Sequence, residues 1–121
     1  MITGIKDFYY NVQDMKRAVK FYTEVLSLKL VHGDEYWTTL ILDGVNIGLH
    51  WTEGEAVPPL LLDDHGTHQG GTLTLASNNI EEDRRHLENA GAKILSESKQ
   101  PWGHMLVFQD LDGNVLKLMH N

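Results

Sequence analysis

Apolar and polar positions along this chain follow two periods, and the places where one gives way to the other divide it into elements. Residues 5–12 alternate with period two, setting Phe8, Tyr10 and Val12 on one face and Asp7, Tyr9 and Asn11 on the other, which predicts a strand. Asp14 stands where an N-cap belongs. Met15, Ala18, Val19, Tyr22, Val25 and Leu26 then recur at spacings of three and four, with Lys16, Arg17, Lys20 and Glu24 opposite. This is the pattern of a helix covering one face of a sheet. Residues 28–33 form a short further strand. Residues 36–42 and 45–52 alternate around Asp43-Gly44, the sequence of a two-residue hairpin turn.

The same order returns in the second half. Residues 71–76 predict a strand. Asn78 or Asn79 caps a helix whose apolar side carries Ile80, Leu87 and Ala90 and which ends at Gly91. Residues 93–97 form a strand, Gln100-Pro101-Trp102-Gly103 a turn, and residues 103–120 a hairpin folded about Asp110, Asp112, Gly113 and Asn114. Aligning the halves sets Met15 opposite Ile80, Asp7 opposite Thr72, and Gly48 opposite Lys117. The reading is one α+β domain of two tandem βαβββ modules, residues 4–52 and 70–121. Residues 53–69 connect them, with Pro58-Pro59 and Leu60-Leu61-Leu62 along the way. One helix hides only one face of a sheet, so each module's other face must meet a partner or enclose a ligand.

Composition narrows the class. With 121 residues there is room for one ordinary core. No apolar run reaches the roughly 18 residues that span a bilayer, and the first residues lack a signal-peptide pattern, so a cytoplasmic protein without a membrane partner is expected. The absence of cysteine excludes disulfides, thiolate ligands and a cysteine nucleophile. A formal charge of −7 argues against nucleic acid as a partner and is compatible with a cationic small ligand. No nucleophile elbow or phosphate-binding loop is visible.

The stretch Asn11-Val12-Gln13-Asp14-Met15 through Ala18, Phe21-Tyr22 and Val25-Leu26, with Pro101-Trp102-Gly103 and Asp110-Leu111-Asp112-Gly113-Asn114, resembles the vicinal oxygen chelate superfamily. Glyoxalase I, bleomycin-resistance proteins, fosfomycin-resistance enzymes and extradiol dioxygenases belong to that group. The resemblance implies sheets curved into a cup with the helices outside. It also implies that metal-dependent members carry a ligand, typically His or Gln, Glu, His and Glu, at four cup-facing positions. Here those positions hold Asp7, Gly48, Thr72 and Lys117. Asp7 can bind a divalent ion. Gly48 offers no side chain, Thr72 is a weak ligand, and Lys117 is normally a cation. The family metal is therefore expected to be absent.

A two-residue turn at Asp43-Gly44 pairs Ile41 with Asn46, Thr39 with Gly48 and Trp37 with His50, which sends Trp37, Thr39, Asn46 and His50 to the cup with Asp7, Tyr9 and Asn11. The second module adds Thr72, Thr74, Lys117 and Met119, together with Trp102 and His104 beside the Pro-Trp-Gly turn. His50 admits four roles: a ligand contact, a bond to a displaced metal, an acid or base, or a structural or interface residue. His104 is either directed at a ligand, as the resemblance implies, or a solvated strand end. Lys117 can anchor an anion, pair with Asp7, or reach solvent. Trp37 and Tyr9 can stack on a planar ligand or seal a core or dimer contact. His65, His68 and Asp63-Asp64 look like a metal cluster by composition, although a glycine-containing loop more often exposes such residues.

The expected function is a glyoxalase- or bleomycin-resistance-like protein that binds a small organic molecule in the cup, as a homodimer, with no cofactor. Two alternatives stand beside it. One is a metal-dependent lyase, isomerase or dioxygenase with a divalent metal held by Asp7, His50 and His104. The other is a protein-interaction module.

Overall fold

A computed structural model describes residues 1–121, which divide into two units, Met1–Val57 and Pro58–Asn121. Unit 1 contains β1 (Phe8–Val12), α1 (Met15–Lys20), β2 (Lys29–Gly33), β3 (Trp37–Leu42) and β4 (Val45–Trp51). Unit 2 contains β5 (Leu73–Ala76), α2 (Ile80–Asn89), β6 (Lys93–Gln100), β7 (Gly103–Gln109) and β8 (Val115–His120). Each unit is a four-stranded sheet, ordered β1-β4-β3-β2 in the first and β5-β8-β7-β6 in the second. The outer pairs β1/β4 and β5/β8 are parallel and the rest antiparallel. The expected repeat of strand, helix and three strands is therefore present.

Turn chemistry sets the registers. Asp43 and Gly44 take φ of 52° and 76°, the left-handed pair of a tight hairpin, and this pairs Ile41 with Asn46, Thr39 with Gly48 and Trp37 with His50. In unit 2 the buried Asp110 accepts backbone N–H groups from Asp112 and Asn114, each at 2.9 Å, and the Asn114 amide at 3.0 Å. This carboxylate replaces the hydrogen bonds that the reversing chain cannot make to itself. One edge strand of each sheet carries an irregularity, between Leu30 and His32 in β2 and between Ile94 and Ser96 in β6.

One face of each sheet packs under its helix. In unit 1 the Asp14 carboxylate caps α1 by accepting from Arg17 N at 3.1 Å. The helix then widens into a π-helical turn, Phe21–Val25, whose Phe21 and Tyr22 are buried with Tyr10, Val12, Leu40, Ile47 and Leu49. In unit 2 Asn79 accepts from Glu82 N at 3.1 Å and donates its amide to Glu82 Oε2 at 3.3 Å, a reciprocal cap. Ile80 and Leu87 of α2 are buried, as are Leu75, Leu106, Phe108, Leu116 and Leu118 of the sheet. Burial of side chains of this size contributes about 1.5–3 kcal/mol each and holds helix to sheet.

Two boundaries differ from the sequence reading. β1 begins at Phe8 and β5 at Leu73, so Asp7 and Thr72 stand one residue ahead of strands in which they were expected. The alternation of residues 5–7 is not used, and Ile5 is almost fully exposed. Within the stretch expected to connect the modules, residues 53–57 fall in unit 1 and residues 58–69 in unit 2. Leu60 to Leu62 form no strand. The chain after them folds around Asp63, whose Oδ1 accepts from His65 N and Thr67 N at 2.8 Å each. These two N–H groups hold the Asp63 carboxyl below the usual carboxylate range.

Candidate functional site

The open face of unit 1 is an aromatic surface. Tyr9, on β1, lies 5.4 Å from the Trp37 ring of β3 and 6.2 Å from the His50 ring of β4, and Trp37 and His50 are 6.3 Å apart. The three strands that carry them are neighbours in the sheet, so these rings form one continuous patch. Gly48 explains how the indole sits there. A methyl group added at Gly48 would come within 2.2 Å of Trp37 Cζ2, so the ring lies across the bare backbone of β4. Trp37 Nε1 donates to Thr39 Oγ1 at 3.0 Å, which fixes the ring's rotation. His50 Nδ1 is 2.9 Å from Asn11 Oδ1; that oxygen only accepts, so Nδ1 is the donor of this bond. Tyr9 and His50 are exposed and Trp37 is half-buried. Asn46 belongs to the same face and is exposed.

The open face of unit 2 is built differently. Thr74 pairs with Lys117 and Val107 pairs with Lys117 from the other side, so this lysine rises from the middle of the sheet. Residues 63–68 fold back over that face as a strap. Gly66, buried and with φ of 86°, packs against Leu95 and Val107, and Ser96 Oγ donates to His65 O at 3.1 Å. Between strap and sheet lies an open hollow of about 330 Å³ lined by His65, Thr67, His68, Thr72, Thr74, Val107, Val115 and Lys117. His68 Nδ1 donates to Gly66 O at 2.9 Å. The sequence reading left His65 and His68 as solvated loop residues. The signal that could have placed them was Asp63 followed by Gly66, a turn pair that reverses the chain.

Two expected site residues fall elsewhere. His104 lies on the helix side of its sheet, because it shares a strand face with the buried Leu106 and Phe108. Its Nε2 contacts Glu97 Oε2 at 2.7 Å, and Glu97 is also paired with Arg84 of α2. Arg84 first, and His104 after it, hold the Glu97 carboxyl below the usual range. The residue after Trp102-Gly103 was expected to face a ligand. Alternation along β7 runs the other way, and Met105 and Val107 take that face. Trp102 is 58% exposed at the tip of the β6/β7 turn, apart from the hollow. Met119 does share the open face of unit 2 with Lys117.

The four positions at which the family resemblance expects metal ligands are filled by residues of different chemistry from the typical set. Asp7 precedes its strand. A chelating side chain at Gly48 would displace the Trp37 ring, Thr72 offers a neutral hydroxyl, and the Lys117 ammonium repels a divalent ion. In neither unit do three His, Asp or Glu side chains gather as a metal-binding group. Asp63, Asp64, His65 and His68 accordingly form no cluster. The alternative ligand His104 is taken up by Glu97 on the wrong face of its sheet.

Comparison with known proteins places these features in a family. The model of the Glyoxalase/Bleomycin resistance protein/Dioxygenase superfamily matches residues 4–118. No curated protein matches the sequence significantly. Among solved structures, a hypothetical protein from S. aureus aligns with a TM-score of 0.76 at 17% identity, over 100% of this chain and 95% of its own. The fosfomycin resistance protein FosX from Listeria monocytogenes aligns with a TM-score of 0.75 at 14% identity, again over 100% and 95%. That protein has also been crystallised with Mn(II) and a sulfate ion. An integron cassette protein from the mobile metagenome of V. cholerae aligns with a TM-score of 0.65 at 20% identity, over 99% and 96%. No helix of this chain is long and apolar enough to cross a membrane.

Proposed function

The chain belongs to the glyoxalase/bleomycin resistance protein/dioxygenase superfamily, and we propose that within it the protein binds a small organic molecule without the metal that its metal-dependent relatives use. The observation that carries this reading is the Trp37 indole lying across Gly48, in the space where a chelating side chain would stand. In this chain the position serves stacking instead of coordination.

Tyr9 and Trp37 offer π-faces to a planar ligand, and the exposed His50 offers Nε2 for a hydrogen bond beside them. Ring-to-ring stacking of this kind contributes about 0.5–1.5 kcal/mol per pair beyond the area it buries. The hydrogen bonds of Trp37 to Thr39 and of His50 to Asn11 hold both rings before a ligand arrives, which reduces the ordering cost of binding. The reading is sequestration, in which these rings and the His50 imidazole hold a ligand without changing it.

A second reading has a specific motive, because the Listeria FosX has been crystallised with Mn(II). It would make the protein a metal-dependent lyase, isomerase or dioxygenase. The two are separated by elemental analysis of the purified protein, followed by parallel titrations of Trp fluorescence with Mn(II) and with a panel of aromatic compounds. Quenching by an aromatic compound, unchanged by a chelator, is the expected result. A stoichiometric divalent ion whose removal abolishes ligand binding would overturn it.

A further inference from the structure

The hollow in unit 2 has a charge character of its own. Lys117 is the only Lys or Arg that lines it, and no carboxylate does. The other cations engaged in unit 2 pair elsewhere: Arg84 with Glu88 and Glu97, Lys99 with Glu81, and His104 with Glu97. Lys117 takes part in none of these pairs, although it is half-buried at the centre of the sheet. Thr74 stands beside it on β5, with Thr72 two residues earlier on the same face, so two hydroxyl donors flank the ammonium. Val107 and Val115 supply apolar walls, and the strap between Asp63 and His68 closes the far side.

We infer that this hollow is a subsite for the oxyanion group of a small ligand, a carboxylate or a phosphoryl group, with Lys117 as its counter-charge and Thr72 and Thr74 as hydrogen-bond donors. An ammonium drawn partly out of water in a hollow that no carboxylate lines gains from an anion delivered to it, since charge-assisted hydrogen bonds are the stronger kind. At about 330 Å³ the space lies at the small end of ligand pockets, which suits a compact acid or the charged end of a larger molecule. The net charge of −7 does not oppose this at physiological salt. Charges farther away than roughly 8 Å are screened, and the ammonium inside the hollow dominates.

The inference deepens the ligand-binding reading above by naming a chemical class. Its probes are plain anions with no aromatic ring, so the two readings can fail separately. The full chain is titrated with lactate, with inorganic phosphate, and with uncharged lactamide, following the amide signals of Thr72, Thr74 and Lys117 by NMR. Saturable shifts with lactate or phosphate but not lactamide are expected, and which anion binds tells a carboxylate from a phosphoryl subsite. Lys117→Met weakens binding by about tenfold or more, whereas Lys117→Arg keeps it within about threefold. An unchanged amide spectrum elsewhere establishes that each variant is folded. Absence of a saturable shift with either anion, equal binding of lactamide, or full affinity in Lys117→Met would each overturn the subsite. Loss of the aromatic titration with these shifts intact would overturn the stacking reading alone.

Discussion

Gly48 and Lys117 occupy the same place in two copies of one βαβββ unit, and the two units put that place to opposite uses. In unit 1 the missing side chain lets a neighbouring indole lie flat, so the open face is an exposed ring surface held by Thr39 and Asn11. In unit 2 the position carries a long cation, and the chain's own preceding residues fold over the face to leave a hollow around it. The backbone repeat therefore does not decide what its open face recognises. One residue at one register position, with whatever packs over it, changes the chemistry that the face offers.

The contrast is tested most severely at Gly48 itself. Gly48→Glu, which restores a chelating residue type, forces the Trp37 ring away and should destabilise the protein by about 1–3 kcal/mol, with a red shift of Trp emission. At the twin position Lys117→Gln should cost no more than about 0.5 kcal/mol, because the ammonium takes part in none of the ion pairs of unit 2. Similar costs at the two positions, measured by urea unfolding, would break the comparison.

Gly66→Ala is expected to be nearly as damaging. The residue adopts φ of 86°, and its added methyl would meet Val107 and Leu95 at 3.0 and 3.1 Å. A loss of about 1–2 kcal/mol should appear, together with faster hydrogen exchange confined to residues 63–68. Unchanged exchange there would mean that the strap is not held by this contact.

The smallest effect concerns the side of unit 2 turned away from the hollow. Arg84 and His104 lower the Glu97 pKa, so its contribution is present above the ordinary value of 4.5 and is lost as pH falls through the lower folded value. These are surface pairs, and the loss should be about a few tenths of a kcal/mol. Glu97→Gln should flatten the stability profile in that acid range and leave oxyanion binding unchanged. If oxyanion binding falls as well, His104 acts on the hollow after all.

The fold was readable in the sequence because its signals are local. Alternation, the Asp14 and Asn79 caps and the Asp43-Gly44 turn fix strands, helices and hairpin register within a few residues of themselves. Register in turn placed Trp37, Thr39, Asn46 and His50 on one face, as the structure has them. His104 was misplaced because the Pro-Trp-Gly turn was read by analogy, whereas the phase of β7 is set downstream by the buried Leu106 and Phe108. The turn at Asp63 and Gly66 was readable as a turn, but where the strap docks was not. Its place depends on Gly66 meeting Leu95 and Val107, some thirty to forty residues on, and no periodicity announces such a contact.

The irregularities in β2 and β6 have a bearing on how the chain behaves at high concentration. Each lies on one of the two edge strands of its sheet, where unpaired N–H and C=O groups would otherwise invite a foreign strand to dock. A kink there breaks the even ladder that an incoming strand would have to match. The exposed Leu30 and Val31 of β2 thereby make a poorer flat template for edge-to-edge pairing, a protection that the regular edge strands β1 and β5 do not share.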